Sequence, residues 1–173
     1  MKLRLVKLGP EHREQLFDMM DEWTAAEQDF CPYIIRRADY HDFENYVRGL
    51  EEHSADGWDI PNSVYFCLDE ERDCFVGAVD IRHRLNDWLR ISGGHIGTGI
   101  RPSERRRGLG TAMVGLALEK CRELGITQVL MTCEKDNIGS ARSIVKNGGR
   151  LTEEFVNQDG RTEQRYQIDL TER

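Results

Sequence analysis

No stretch of this 173-residue chain approaches the roughly 18 consecutive apolar residues that a membrane-spanning helix needs, so no transmembrane segment is expected. The opening MKLRLVKLGPEHRE is too short and too charged for a secretory leader, which places the expected location in the cytoplasm. Paired cysteines are missing as well. Cys31, Cys67, Cys74, Cys121 and Cys133 are odd in number, scattered, and contain no Cys-x-x-Cys, so buried reduced thiols are expected, above all Cys67 and Cys133 inside apolar strand patterns. The five histidines show no metal-ligand spacing, and no metal is expected. Positive charge is in deficit: 24 basic against 31 acidic residues give a net charge of −7, which disfavours nucleic acid as a partner and makes any local basic cluster informative. Repeats, linkers and low-complexity tracts are absent too. What remains is globular, with 32% charged and 39% apolar residues in short periodic groups. A chain of this length fits one domain, residues 1–173, burying roughly 70% of its unfolded surface.

Apolar periodicity supplies the element order. Leu3 and Leu5 open a short strand, Gly9-Pro10 breaks it, and Leu16, Met19, Met20 and Trp23 mark one face of a helix from Glu11 to about Glu27. Asp39 can cap a second helix to about Glu51, with Phe43, Tyr46, Val47 and Leu50 on its apolar side. Strands are expected at Val64 to Leu68, Cys74 to Ile81 and Gly94 to Ile100, with a polar segment from Arg82 to Arg90. A helix then runs to Gly125, and Val129 to Cys133 reads as a central strand covered on both faces. A last helix spans about Ile138 to Lys146, before two strands, Leu151 to Val156 and Gln164 to Leu170, joined at Asp159-Gly160. This order predicts an α/β (α+β) fold, a mixed central sheet with helices on both faces.

The most informative segment is GGHIGTGIRPSERRRGLGTAM, Gly93 to Met113, which passes from a strand through a glycine-broken turn into a helix. Gly108 and Gly110 lack Cβ atoms, so successive backbone N–H groups can converge on an anion. The helix start adds unpaired donors and partial positive charge, and Arg105, Arg106 and Arg107 add full charges. The plainer alternative is a solvated basic loop capping an ordinary helix. The turn lacks the Lys-Ser/Thr of a Walker loop and departs from Gly-x-Gly-x-x-Gly, so a metal-free pyrophosphate site explains it better than triphosphate hydrolysis or dinucleotide binding.

Arg105-Arg106-Arg107-Gly108-Leu109-Gly110 resembles the Arg/Gln-x-x-Gly-x-Gly/Ala signature of the GNAT acetyltransferases. The likeness extends upstream through Gly97-Thr98-Gly99-Ile100-Arg101-Pro102 and downstream through Asp136-Asn137, Ser140-Ala141 and Lys146-Asn147-Gly148-Gly149. It implies a GNAT-type sheet with splayed central strands and acetyl-CoA as co-substrate. The amides of Arg106, Arg107, Gly108, Leu109, Gly110 and Thr111 would hold the pyrophosphate, aided by Arg101 and Arg105. Ile100 would pair with the pantetheine arm, which Asn137 and Ser140 would also touch. Asn137 equally fits a helix cap.

Direct transfer to an amine needs a neutral nucleophile, a polarised carbonyl and a stabilised leaving thiolate. The resemblance puts a strand N–H near Ile100 at the oxyanion. Many relatives place a Tyr acid seven residues after the Asn, where this chain has Ile144, and an aromatic where it has Gly149. Proton delivery then falls to Ser140, Tyr166 or water. His95 and Glu134 are candidate bases, though either is as readily structural. For the acceptor, the resemblance points to Trp23, Phe30 and Tyr33; Asp80 and His83, near the end of a neighbouring strand, are weaker candidate bases that could instead contact substrate. The acids Glu22, Glu27 and Asp29 could attract an amine or form a solvated face. The expected acceptor is a primary amine of a small molecule or protein, and a homodimer stays open. A non-catalytic acyl-CoA sensor is the alternative that the missing Tyr keeps alive. A nucleic-acid binder using the arginines is disfavoured by the acidic balance.

Overall fold

A computed structural model describes residues 2–28, 31–51 and 60–171. It contains seven strands, β1 (Leu3–Val6), β2 (Asn62–Asp69), β3 (Cys74–Arg82), β4 (Ile96–Ile100), β5 (Gln128–Glu134), β6 (Arg150–Val156) and β7 (Thr162–Asp169). Five helices connect them: α1 (Arg13–Ala25), α2 (Phe43–Glu51), α3 (Asp87–Ile91), α4 (Leu109–Glu123) and α5 (Ile138–Lys146). The single mixed sheet expected from the element order is divided in two. One antiparallel sheet runs β1-β2-β3-β4, the other β5-β7-β6, and they touch at one isolated bridge between Gly94 and Met131.

The two faces are filled by separate cores. Behind the sheets, α4 and α5 bury Leu109, Met113, Ala117 and Ile144 against Val76, Val79, Ile96, Val129 and Met131. In front of the four-stranded sheet, α1 and α2 bury Leu16, Met19, Met20, Trp23 and Tyr46 against Val64, Phe66, Phe75 and Ala78. Period-2 alternation along β2 and β3 serves both cores at once, which is why those strands read as nearly continuous apolar sequence.

Three expectations need correction here. β5 is not covered on both faces: Val129, Met131 and Cys133 are buried, while Gln128 and Glu134 are exposed and Leu130 and Thr132 are partly open. The polar segment Arg82 to Arg90 contains α3, started by Asn86, whose side chain accepts the Leu89 N–H at 2.8 Å. The expected second helix also begins later than Asp39, at Phe43. Among the described residues, no helix is long and apolar enough to cross a membrane, and no cluster of three or more His, Cys, Asp or Glu is placed to hold a metal.

Candidate functional site

α4 opens without a cap. Its N-cap is Gly108, held left-handed at φ 80°, a conformation natural only for glycine, and no side chain bonds the helix start. The N–H groups of Gly108, Leu109, Gly110 and Thr111 consequently have no acceptor among the described residues. Four orphan donors at a positive dipole end are the arrangement that suits an anion, and this mouth is termed the cradle. A Cβ on Gly110 would stand 3.3 Å from Ser143 Oγ, so the glycine lets α5 approach the cradle. Asn147 fixes that approach, its Nδ2 donating to Thr111 O at 3.0 Å and Ser143 O at 2.8 Å.

The three arginines of the turn are not equivalent. Arg107 Nη1 donates to Glu104 Oε2 at 2.6 Å, while Arg105 donates from Nε to Ile100 O at 3.0 Å and from Nη1 to Gln28. Glu104 is nearly buried and also takes both Nη groups of Arg72, at 2.7 and 2.9 Å, so its charge is held well below the usual carboxylate range. Arg106, with left-handed φ of 63°, has no side-chain partner among the described residues and is the uncommitted charge of the cluster. Arg101 is a correction: it does not reach the cradle. Its buried guanidinium donates to Glu22 at 2.7 Å and Asp18 at 2.8 Å on α1, and Glu22 accepts the Ser103 N–H at 2.8 Å. Glu22, which the sequence left between attracting an amine and forming a solvated face, is engaged in that anchor.

Beside the cradle the sheets separate. Arg82 N–H bonds His95 O and Arg101 N–H bonds Val76 O, so the odd-numbered residues of β4 turn their backbone groups toward β3. Thr98 and Ile100 therefore present theirs to the gap, and their N–H groups are unpaired among the described residues. The gap closes at His95, whose N–H donates to Leu130 O at 2.7 Å while its Nδ1 accepts the Leu130 N–H at 3.0 Å. Burial, then the charges of Arg90 and Arg82, lower the His95 pKa to about 4. A ring whose Nδ1 lone pair is occupied carries its hydrogen on Nε2, so this geometry suits a latch and a hydrogen-bond donor rather than a base.

Across the gap stands the start of α5. Asn137 Oδ1 accepts the Ser140 N–H at 3.1 Å, leaving its Nδ2 without a partner among the described residues, so capping and a ligand contact are compatible. Burial raises the Cys133 thiol, and a hydrogen bond with Ser140 offsets part of that rise. Glu134 lies on the surface at the end of β5, 2.6 Å from Arg161. Tyr166 is buried and donates to Gln164 Oε1 at 2.7 Å. Ile144 is fully buried, and a Cβ on Gly149 would come within 2.4 Å of its Cγ2, so the two departures from the family pattern compensate one another.

The expected acceptor residues scatter. Trp23 is wholly buried under α1 and contacts no solvent, which excludes it from a binding surface. Phe30 and Asp29 lie outside the described residues. Tyr33 is exposed, with the Arg36 guanidinium 4.5 Å over its ring. Asp80 is buried between Asn62 Nδ2 at 2.7 Å and Arg82 Nε at 3.3 Å, and burial raises its pKa. His83 Nε2 lies 2.8 Å from Ser63 Oγ. What sequence reasoning missed is the Cys31-Pro32 segment lying across β4: a Cβ on Gly99 would meet Cys31 O at 2.0 Å, and one on Gly97 would meet Pro32 Cβ at 3.1 Å. Two glycines alternating along one strand face are the available signal for such a close approach.

The sequence profile described as Acetyltransferase (GNAT) domain matches residues 2–150. No curated protein matches at a significant level. Among solved structures, a GNAT-family acetyltransferase from Bacillus anthracis superposes with TM-score 0.68 at 16% identity, over 99% of this chain and 97% of that one. A putative ribosomal-protein-serine acetyltransferase from Vibrio cholerae gives 0.65 at 14% identity, over 98% and 94%. A putative acetyltransferase from Salmonella typhimurium, solved with its cofactor acetyl-CoA, gives 0.63 at 14% identity, over 99% and 95%. With a helix mouth of unpaired amides, strands that part beside it and a family profile covering most of its length, this chain belongs to the GNAT acetyltransferase family.

Proposed function

We propose that the protein transfers an acetyl group from acetyl-CoA directly to a primary amine. The observation that carries the reading is the run of N–H groups from Gly108 to Thr111, unpaired among the described residues, at the start of α4 and opening on the gap between β4 and β5. Acetyl-CoA fits these residues. The orphan amides suit its diphosphate, Arg106 adds an uncommitted charge, and the N–H groups of Thr98 and Ile100 suit the amide groups of a pantetheine arm. Bound there, the cofactor supplies an activated acyl thioester. Asn137 Nδ2 would orient the arm from the α5 side, and a strand N–H near Ile100 would polarise the acyl oxygen. Ser140 stands at the α5 end of the gap with a hydroxyl able to hand a proton to the departing sulfur. Ile144, sealed in the core, cannot do so.

Thermal unfolding with acetyl-CoA tests the cradle. At about 100 times Kd, a ligand specific for the native state adds about 2.7 kcal/mol, which raises Tm by roughly 5–10 °C for a chain of this size. ATP and NAD should leave Tm unchanged. Gly110→Val, which crowds Ser143 and the anion position, should abolish the acetyl-CoA shift while retaining the fold. An equal response in wild type and variant would remove the reading's foundation. Acceptor-dependent release of free thiol then separates a catalyst from a protein that only binds acyl-CoA.

A further inference from the structure

Arg82, the last residue of β3, lies on the front face of the sheet, away from the cradle. Its Nη1 donates to Gly93 O at 3.1 Å and Gly94 O at 3.0 Å, and its Nε faces the Asp80 carboxylate. Its Nη2 has no partner among the described residues, and a Cβ on Gly97 would come within 3.4 Å of it. The bare strand at Gly97 is therefore what admits a guanidinium to the front of β4, next to Pro32. Arg90 on α3 also has no side-chain partner among the described residues, and it acts with Arg82 on His95. Three carboxylates of this face are engaged, Asp80 by Asn62 and Arg82, Glu163 by Ser92 and Asn157, Glu153 by Arg165, while Asp87 lies on α3 with Arg90. The Nη2 edge of Arg82, fixed by the two carbonyls and the carboxylate on its other nitrogens, offers a carboxylate a positioned donor.

We propose that the acceptor is an amino-carboxylate, a free amino acid, whose carboxylate is bound by Arg82 Nη2 with Arg90 as a second, more distant positive charge. The inference rests on the acetyl-transfer reading above and names its substrate class. A guanidinium recognises a carboxylate through charge-assisted hydrogen bonds, and its loss leaves the anion without a partner.

The test compares matched acceptors: amino acids, their primary amides and the corresponding decarboxylated amines, each with acetyl-CoA, reading thiol release. Wild type should favour the carboxylate over its amide by about tenfold or more in kcat/KM. The amide's amine is the less basic of the two, so its ionisation at neutral pH cannot create that preference. Arg82→Gln should raise KM for the amino acid and bring the ratio close to one, with the acetyl-CoA thermal shift intact. Arg82→Lys should keep part of the preference, and Arg90→Gln, on the exposed face of α3, should lower it about two- to threefold. Structural damage would slow both members of a pair and leave their ratio alone, so an unchanged ratio in Arg82→Gln overturns the assignment. Turnover of amides or simple amines as fast as amino acids overturns it while acetyl transfer stands. No turnover of any acceptor, with the acetyl-CoA shift present, removes both.

Discussion

Acid should loosen the join between the two sheets through a single side chain. At neutral pH the Nδ1 of His95 accepts the Leu130 N–H at 3.0 Å, and a proton on that nitrogen abolishes the bond. The folded pKa is about 4, lowered by burial and by Arg90 and Arg82, against 6.5 for an unperturbed ring. Between those values the unfolded chain binds a proton that the folded chain refuses. The stabilisation is therefore complete above about pH 6.5 and is lost progressively as pH falls toward 4. At about 1.36 kcal/mol per pH unit the ceiling is roughly 3 kcal/mol, and the ring's contact with water reduces the expected loss to ~1–2 kcal/mol. Urea unfolding at several pH values between about 7.5 and 4.5 measures it, with His95→Asn as the reference. The asparagine offers an oxygen near the Nδ1 position and does not titrate, so differencing the two profiles cancels every carboxylate. Wild type should lose ~1–2 kcal/mol more than the variant across that interval, and parallel profiles would refute the latch. At neutral pH His95→Asn should keep turnover within a few-fold; a loss of about a hundredfold or more would reinstate His95 as the base.

The remaining predictions concern how the site is supported. Trp23→Ala should cost ~3–5 kcal/mol as a core cavity, seen as a fall in Tm of roughly 10 °C or more, with KM for any acceptor unchanged in the folded fraction. Arg101→Met should cost about 2–3 kcal/mol by stranding Glu22, and adding Glu22→Leu should recover part of it, which a double-mutant cycle would read directly. Gly149→Ala should cost about 1–3 kcal/mol through its clash with Ile144, and Ile144→Leu, which removes the β-branched methyl, should relieve part of that cost in thermal unfolding.

The glycine-broken helix start was legible in the sequence because its requirements are local. Glycine at a left-handed position, a run of charge and a helix pattern beginning at Leu109 lie within a few residues of one another, and Gly125 at φ 75° ends the same helix as expected. Arg101 and Arg107 look alike in sequence, six residues apart. Only packing decides that the first is drawn to α1 by carboxylates some 80 positions upstream, as when Nε finds Glu22. Trp23 shows the opposite failure. The helical spacing of Leu16, Met19, Met20 and Trp23 already placed it on the buried face, and the structure follows that periodicity rather than the resemblance that moved Trp23 to the acceptor side. The division into two sheets was illegible because strand patterns specify faces, while the break depends on which edges meet, here on His95 reaching Leu130.

Glu104 gives the proposed phosphate loop a mechanical character. Because a nearly buried carboxylate is gripped by Arg72 from the hairpin between β2 and β3 and by Arg107 from the loop itself, the turn is braced from below before any anion arrives. An incoming diphosphate then has little chain to freeze, and side-chain ordering that otherwise costs about 0.5–1.5 kcal/mol per long residue has been met during folding. Cofactor capture at this mouth should resemble a key entering a rigid lock, with Arg106 as the one limb left to swing shut.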